Sequence, residues 1–531
     1  MSIISRLFLT WMGFGWSVWK PQPHNLAESI LFYQHSATYS NISCGIYLYL
    51  HTFRNLYEAM IGRKTEQHIL NQALISEKPE LIAVIGRRRV GKTYLIRNFF
   101  GNKLDFELVG LKDGSKNQQL TNFSFSLREA NNGTPCDVPN DWLSAFDQLK
   151  LTLEAKKALK RKKVVFIDEF PWVATNRSKF LTGFSYFWNS YASKANIIVI
   201  ICGSAAAWMI KKVINNKGGL HNRVTRKILL QPFTLAETEA YFLHRKISFD
   251  RYQILQLYMV MGGIPHYLDQ VEKGESAVQN INRICFHPQG LLRTEFDNLF
   301  SSLFTNPEKY EALIIAFSAS WKGLSRSEIP TKSKIKDGGY LTRMLMELEQ
   351  SGFISSYSPF GHKAKNTMYR LSDNYSLFYL KFIRPLAKNE IGNWDSLSLT
   401  QSWKSWSGYA YENICLQHIP QIKIALGISG IHSTESSFFA KATEKNKGTQ
   451  IDLLIDRQDQ VISMCEIKFY NDILTLTKKS AEKLREKRTI FKQITKTKKH
   501  IFIVLITTYG LNHNQHSSGL IDNILDMNDL F

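Results

Sequence analysis

Gly86-Arg87-Arg88-Arg89-Val90-Gly91-Lys92-Thr93 lies between the apolar run Leu81-Ile82-Ala83-Val84-Ile85 and the helix-like Tyr94-Leu95-Ile96-Arg97-Asn98-Phe99. It satisfies G-x-x-x-x-G-K-[ST] and reads as a phosphate-binding loop. The run before it suits a buried parallel strand, and the glycines let backbone N–H groups wrap phosphate oxygens. Lys92 is expected to reach the β- and γ-phosphates, and the Thr93 hydroxyl to ligate Mg²⁺.

Downstream, Lys163-Val164-Val165-Phe166-Ile167-Asp168-Glu169 is an apolar strand ending in two carboxylates. It resembles a Walker B strand. The resemblance implies that Asp168 holds Mg²⁺ together with Thr93, and that Glu169 orients and deprotonates the attacking water. Alone, the two acids would read as a solvated turn after a buried strand. Paired with a complete phosphate loop, they predict binding of a nucleoside triphosphate.

The chain has 531 residues, 44% hydrophobic and 21% charged, which is a globular composition with room for about three domains. Its formal net charge of +22 points to a polyanionic partner. Nucleic acid fits that excess better than a membrane surface, because no long apolar span flanked by Lys and Arg occurs. Six scattered cysteines, Cys44, Cys136, Cys202, Cys285, Cys415 and Cys465, form no C-x-x-C pair and read as reduced thiols of a cytoplasmic protein. Residues 1–55 carry a short apolar stretch, Leu7 to Trp19, that resembles a signal core without an A-x-A site and is too short to span a bilayer comfortably. No function is assigned to that segment, and no stable membrane association is expected.

After the loop, strand-like Phe106–Leu111, Val164–Ile167 and Ile197–Cys202 alternate with helical periodicity such as that around Trp142 to Leu159. The expected fold is α/β, a helix-flanked parallel sheet with nucleotide at the carboxyl ends of the strands. Gly86, Asp168 and Ser204 would emerge there. Ser204 is either a polar residue sensing the γ-phosphate or the N-cap of a helix through Ala205-Ala206-Ala207-Trp208. Arg223 and Arg226 are two candidates for an arginine finger, each equally readable as a solvated arginine.

The core is set at 56–232, a helical lid at 233–300 and a winged helix at 301–385. The lid contains the break Gly262-Gly263-Ile264-Pro265. The third segment reads helix, Ser325-Arg326-Ser327-Glu328-Ile329, helix, then a hairpin of Phe353-Ile354 with Met368-Tyr369-Arg370-Leu371.

Ile61-Gly62-Arg63-Lys64, the arginine-rich loop, Gly110-Leu111-Lys112-Asp113, Phe166 to Trp172, Cys202-Gly203-Ser204 and Gly262 to Pro265 form a combined pattern. Over about Leu56 to Lys499 the chain resembles the archaeal-type AAA ATPases of the STAND-related branch that carry a C-terminal nuclease-like domain. The resemblance implies an ATP-dependent switch or motor with a P-loop sheet, a lid, a winged helix and a restriction-endonuclease-like α/β domain, here 386–531.

In that last segment Gln450 to Asp456 and Val461 to Lys468 read as two strands of a hairpin, preceded by the helical Gly408-Tyr409-Ala410-Tyr411-Glu412. The set resembles a PD-(D/E)xK core with Ile451 where the pattern has proline. The resemblance implies that Asp452 and Glu466 hold a second divalent metal, that Lys468 activates water and that Glu412 assists. Glu466 and Lys468, two apart, share a strand face. The basic stretch Thr477 to Arg488 could line a phosphate backbone beside these acids, or be a solvated helix face.

The expectation is therefore an ATPase using ATP and Mg²⁺, coupled to nucleic acid, DNA more than RNA, and self-associating through its ATPase core. The alternative is a nucleotide-gated switch whose C-terminal domain binds a partner without cutting it.

Overall fold

The computed structural model describes residues 60–531 apart from 157–159, 176, 216–217, 302, 305, 363–365, 387–391 and 443–447. The expectations for residues 1–55, including Cys44, lie outside the described residues.

Five strands form the first sheet: β1 (Glu80–Ile85), β2 (Leu104–Val109), β3 (Lys163–Asp168), β4 (Ile197–Gly203) and β5 (Arg226–Leu229). All its pairings are parallel, in the order β2-β3-β4-β1-β5, so β4 separates the loop-bearing strand from the acid-bearing one. Period-two side-chain alternation sorts each strand onto two faces. Ile82, Val84, Val164, Phe166, Ile198, Ile200 and Cys202 point into one core, while Leu81, Ala83, Val165, Ile167, Val199 and Ile201 point into the other. Both faces are therefore apolar, as parallel strands covered by helices must be.

The second core is closed by the helices Lys116–Ala130, Trp142–Ala155 and Phe180–Ser190, where the Trp142 ring meets Phe180 and the Phe184 ring meets Phe146 and Phe180. Capping boxes at Ser115 and Asp141 start the first two of these helices.

The first core does not stop at the sheet. It continues through the helices Leu235–His244 and Arg251–Met261, through Phe296, Phe300, Leu345 and Phe353, and on to Trp394, Trp403, Trp406 and Tyr411. It ends on Leu453, Cys465 and Val504 of a second sheet. One apolar interior thus runs through the stretches expected as lid, winged helix and C-terminal domain.

Between the two sheets, the helix Pro307–Ser318, β6 (Leu324–Ser325), the helices Ile329–Ser333 and Gly339–Gln350, β7 (Ile354–Tyr357) and β8 (Met368–Leu371) follow in order. The strands pair as an antiparallel sheet β6-β8-β7. The second sheet comprises β9 (Ser433–Ala440), β10 (Thr449–Arg457), β11 (Val461–Lys468), β13 (His500–Thr507) and β15 (Asn523–Leu525), in the order β15-β13-β11-β10-β9. The short β12 (Leu474–Thr475) and β14 (Leu511–Asn512) pair beside it. β10 and β11 form the expected antiparallel hairpin, and β11, β13 and β15 run parallel.

Gly263 fixes the exit from the first sheet. Its carbonyl accepts the Phe233 N–H at 2.6 Å, and a Cβ there would lie 1.8 Å from the Phe233 carbonyl oxygen. Any side chain must force the two backbones apart. Gly263→Ala is expected to destabilise the protein by about 1–3 kcal/mol, the cost typical of overpacking, read as a lowered midpoint in chemical denaturation.

Candidate functional site: a phosphate loop and a C-terminal acid cluster

The phosphate loop turns between β1 and the helix Lys92–Phe100. Gly91, at φ 90°, supplies a left-handed conformation that a side chain would disfavour. Lys92 is buried, and its ammonium donates to the carbonyls of Gly86 at 3.1 Å and Arg87 at 2.9 Å and to the Ser204 hydroxyl at 3.1 Å. The Ser204 hydroxyl in turn donates to Glu169 Oε1 at 2.9 Å. Thr93 donates its hydroxyl to Asp168 Oδ2, and Asp168 Oδ1 accepts the Glu169 N–H at 2.8 Å.

The two sequence motifs and the end of β4 therefore meet in one constellation. Ser204 is not a helix cap: the helix Ala206–Met209 begins after Ala205 and no side chain caps it. Glu169 sits at φ 45°, ψ 44°, left-handed and costly for a residue with a Cβ, and this conformation accompanies its contact with Ser204. Burial, followed by the nearby Asp168 carboxylate, pushes the Cys202 thiol well above its ordinary range, so it stays protonated.

Thr93 and Asp168 already face each other through oxygen atoms, the hard donors that Mg²⁺ prefers. Two of the three loop arginine side chains are engaged away from the loop. Arg87 pairs with buried Asp373 and lies over the Phe353 ring, 5.0 Å from its centroid. Arg89 pairs with buried Glu295 at 2.5 Å. Arg88 is partly exposed, and Arg223 is exposed on the turn before β5. Arg226 pairs with Glu80 at 3.1 Å.

Sequence reading missed Arg63, whose guanidinium donates to the carbonyls of Gln231 at 2.6 Å and Val90 at 3.0 Å and lies over Phe233. Its place in Ile61-Gly62-Arg63-Lys64 was the available clue. Nothing local marks Asp373 or Glu295 as the partners of loop arginines.

In the second sheet the β10–β11 register pairs Leu453 with Cys465; extending it by one residue sets Asp452 opposite Glu466. β10 is irregular against β9 between Ile451 and Leu454, a departure of the kind that re-aims a side chain. Asp452 accepts from Gln450 at 2.8 Å. Glu466 is buried and paired twice, with Lys468 and with Lys487 of the helix Lys478–Thr495, each at 2.7 Å. Lys487 was hidden in the sequence within an ordinary charge run.

The four expected residues open onto two clefts. Glu412 and Asp452 line one of about 1050 Å³ with Arg370 and Trp321. Glu466 and Lys468 line another of about 330 Å³ with Ser480, Lys483 and Lys487. Among the described residues no group of three or more His, Cys, Asp and Glu is placed to hold a metal ion. The two lysine ammoniums already occupy both Glu466 oxygens, so this arrangement does not fit the second divalent metal expected from sequence.

Burial, then Asp452, pushes the Glu412 carboxyl up to about 8, and burial with Glu466 raises that of Asp452. Burial also disfavours the charged form of Glu466, but Lys468 and Lys487 outweigh it and hold this carboxyl below its ordinary value.

The chain is 24% identical over 415 residues, covering 77% of it and 87% of the relative, to the uncharacterized protein MJECL04 of Methanocaldococcus jannaschii. Among solved structures it is similar to the Walker-type ATPase PABY2304 of Pyrococcus abyssi, with 17% identity, TM-score 0.45, and coverage of 61% of this chain and 96% of that one. It is also similar to the ORC2 protein of Aeropyrum pernix, with 14% identity, TM-score 0.36, and coverage of 61% and 93%.

With the Glu412 carboxyl's ordinary value at 4.5 and its folded value at about 8, the folded protein holds one more proton than the unfolded chain between those limits. Its contribution to stability therefore falls as pH rises through that window and is flat above it. Glu412→Gln is expected to melt a few degrees higher than wild type at pH 9, with the difference shrinking toward pH 5, in a thermal-denaturation series.

Residues 60–271, which contain the whole phosphate-loop constellation, match the family model described as an ATPase domain predominantly from Archaea.

Proposed function

We propose that the chain binds and hydrolyses ATP as an AAA-type ATPase and uses that cycle to control a nucleic-acid-binding C-terminal domain. The observation that carries the first half is the continuous hydrogen-bonded set Lys92–Ser204–Glu169 beside Thr93–Asp168. Each group has the chemistry its position requires.

The N–H groups of residues 86–93, at the start of the helix Lys92–Phe100, receive phosphate oxygens, and the Lys92 ammonium compensates their charge. Mg²⁺, held by Thr93 and Asp168 when bound, supplies further charge neutralisation to the phosphates. Glu169 takes the proton of the water that attacks the γ-phosphorus, and Ser204 keeps that carboxylate aimed. Exposed Arg223 is available to the site of a second copy, which is how self-association would serve catalysis.

For the C-terminal domain, the support is electrostatic. The helix Lys478–Thr495 carries Lys478, Lys479, Lys483, Arg485, Lys487, Arg488 and Lys492 beside the Glu466 cleft, in a chain of charge +22. A phosphate backbone is the natural counterpart of that face, and DNA is the favoured form. Glu412, Asp452, Glu466 and Lys468 retain the composition of a PD-(D/E)xK set, yet the two lysines on Glu466 favour binding without cleavage.

The middle module has the element order of a winged helix, and its role reads as packing. Its helix Gly339–Gln350 pairs Arg343 with Glu347 and also carries Glu349, a poor charge pattern for a DNA groove. Phe360, at the hairpin tip, donates its N–H to Ser437 at 2.7 Å and its ring meets Phe491 at 5.0 Å. Trp321 stacks on Tyr409 with centroids 4.5 Å apart.

Two measurements test the reading. Glu169→Gln is expected to bind ATP normally and hydrolyse it about 10²-fold or more slowly, whereas Lys92→Ala loses binding; full hydrolysis by Lys92→Ala would sink the ATPase assignment. Replacing Lys478, Lys479 and Lys483 with Glu is expected to weaken DNA binding and flatten its salt dependence by about 0.9 log unit per lost phosphate contact. Mg²⁺- or Mn²⁺-dependent cleavage of DNA or RNA by wild type but not by Asp452→Ala would replace binding with nuclease action.

A further inference from the structure

The three loop arginines are the residues of Gly86–Thr93 least explained by phosphate binding, and Arg87 is bound on both of its ends. Its carbonyl accepts from the Lys92 ammonium at 2.9 Å, while its guanidinium pairs with Asp373, 286 residues away. A shift of the loop that moves Lys92 therefore moves the Asp373 partner as well. Arg87 is 4% exposed, and its Nε and Nη2 are buried without an acceptor, so the protein leaves two donors of a charged group unserved at the loop. A loop that closes around phosphate shifts the Arg87 backbone and so pulls on the guanidinium paired with Asp373.

Asp373 cannot stay indifferent. It is buried, and its second oxygen accepts from the Ser376 N–H at 3.0 Å and from the Ser376 hydroxyl at 2.5 Å, capping the helix Asn374–Phe378. A buried carboxylate that loses its guanidinium is left uncompensated, so it follows the arginine or moves toward solvent.

The neighbours of Asp373 lead directly to the C-terminal site. Asn413 donates to the carbonyl of Ser372 at 2.9 Å and to Asn374 Oδ1 at 2.6 Å, and Gln417 donates to the same Ser372 carbonyl at 2.7 Å. Asn374 donates back to the Tyr258 carbonyl at 3.2 Å, at the lid helix. Asn413 is the residue after Glu412 on the helix Gln401–Gln417, which is itself tied to the second sheet by Tyr411 donating to the Thr507 carbonyl at 2.7 Å.

We propose that the buried chain Arg87–Asp373–Asn374–Asn413 transmits the occupancy of the phosphate loop to the helix that carries Glu412, so that nucleotide regulates the C-terminal site. This rests on the reading that the loop binds nucleotide. The element that shifts is the segment Ser372–Asn374, held between β8 and the helix it caps. Both sites bias it, which is the physical requirement for coupling. Asp373 and Asn413 act as positioning residues; neither touches a reacting atom.

The test is hydrogen–deuterium exchange on the full chain, with and without Mg²⁺ and a non-hydrolysable ATP analogue, in wild type, Asp373→Asn and Asn413→Ala. Analogue binding to each is measured in parallel by titration. In wild type the analogue is expected to change exchange over residues 405–417 by about fivefold or more. Asn413→Ala, which leaves the Arg87–Asp373 pair in place, keeps analogue affinity and loses that response. Asp373→Asn loses the response and alters analogue affinity severalfold. Should Asp373→Asn fail to fold, Asn413→Ala decides alone. An undiminished response in Asn413→Ala overturns the relay, as does a wild type that binds the analogue with no change over 405–417. A wild type that binds no analogue overturns the nucleotide reading as well, and the titration tells that failure from the others.

Discussion

A buried ammonium must find oxygen acceptors, and the way Lys92 finds them shapes the rest of the nucleotide site. Leaving such a charge uncompensated away from water costs several kcal/mol or more. The loop satisfies it by folding two of its own carbonyls, Gly86 and Arg87, back onto the side chain. The third acceptor is Ser204, which can reach it only because β4 lies between β1 and β3. That strand order brings the Ser204 hydroxyl within reach of Lys92 and Glu169 together, and the strained backbone of Glu169 accompanies the contact.

The same economy of buried charge recurs away from the loop. Arg87 with Asp373, Arg89 with Glu295 and Arg63 with backbone carbonyls tie the nucleotide face to the lid and to the module between the sheets. Around them one apolar interior continues from the first sheet to the second, so a disturbance at the loop has packed side chains to act on at every step. In the second sheet Glu466 is compensated by Lys468 and Lys487. The Glu412 carboxyl is raised because burial and the Asp452 charge outweigh Arg370 and Lys468, and that of Asp452 because burial and the Glu466 charge outweigh Lys487 and Lys468. Carboxylates expected from sequence at one site are thus divided by their neighbours, Glu466 being held below its ordinary value and Glu412 and Asp452 raised above theirs.

Much of this was legible in the chain. The strands at Val164–Ile167 and Ile197–Cys202 and the hairpin at Gln450–Lys468 are apolar or alternating runs with polar ends, and they form where the pattern sets them. The helix read from Trp142 onward is described to Ala155, opened by the Asp141 capping box. The five described cysteines are free, four of them buried, as scattered cysteines in apolar runs suggested. No helix among the described residues is long and apolar enough to cross a membrane. Of the two readings of Ser204, the helix cap is set aside because its hydroxyl meets Lys92 and Glu169 rather than the start of the helix Ala206–Met209.

The sequence by itself determined the chemistry of the loop, the acids at the end of β3, the strand faces and the composition of the C-terminal acid set. These are contiguous features, set by residue type and by a periodicity of two or 3.6 residues. Tertiary structure alone decided which charges meet. Arg87 and Asp373 are 286 residues apart, and Lys487 approaches Glu466 from a helix that sequence presents as a solvated charge run. An ion pair depends on distances of a few ångströms between elements that no local pattern relates. Packing therefore turned two loop arginines away from phosphate and set two lysines where a metal ion was expected.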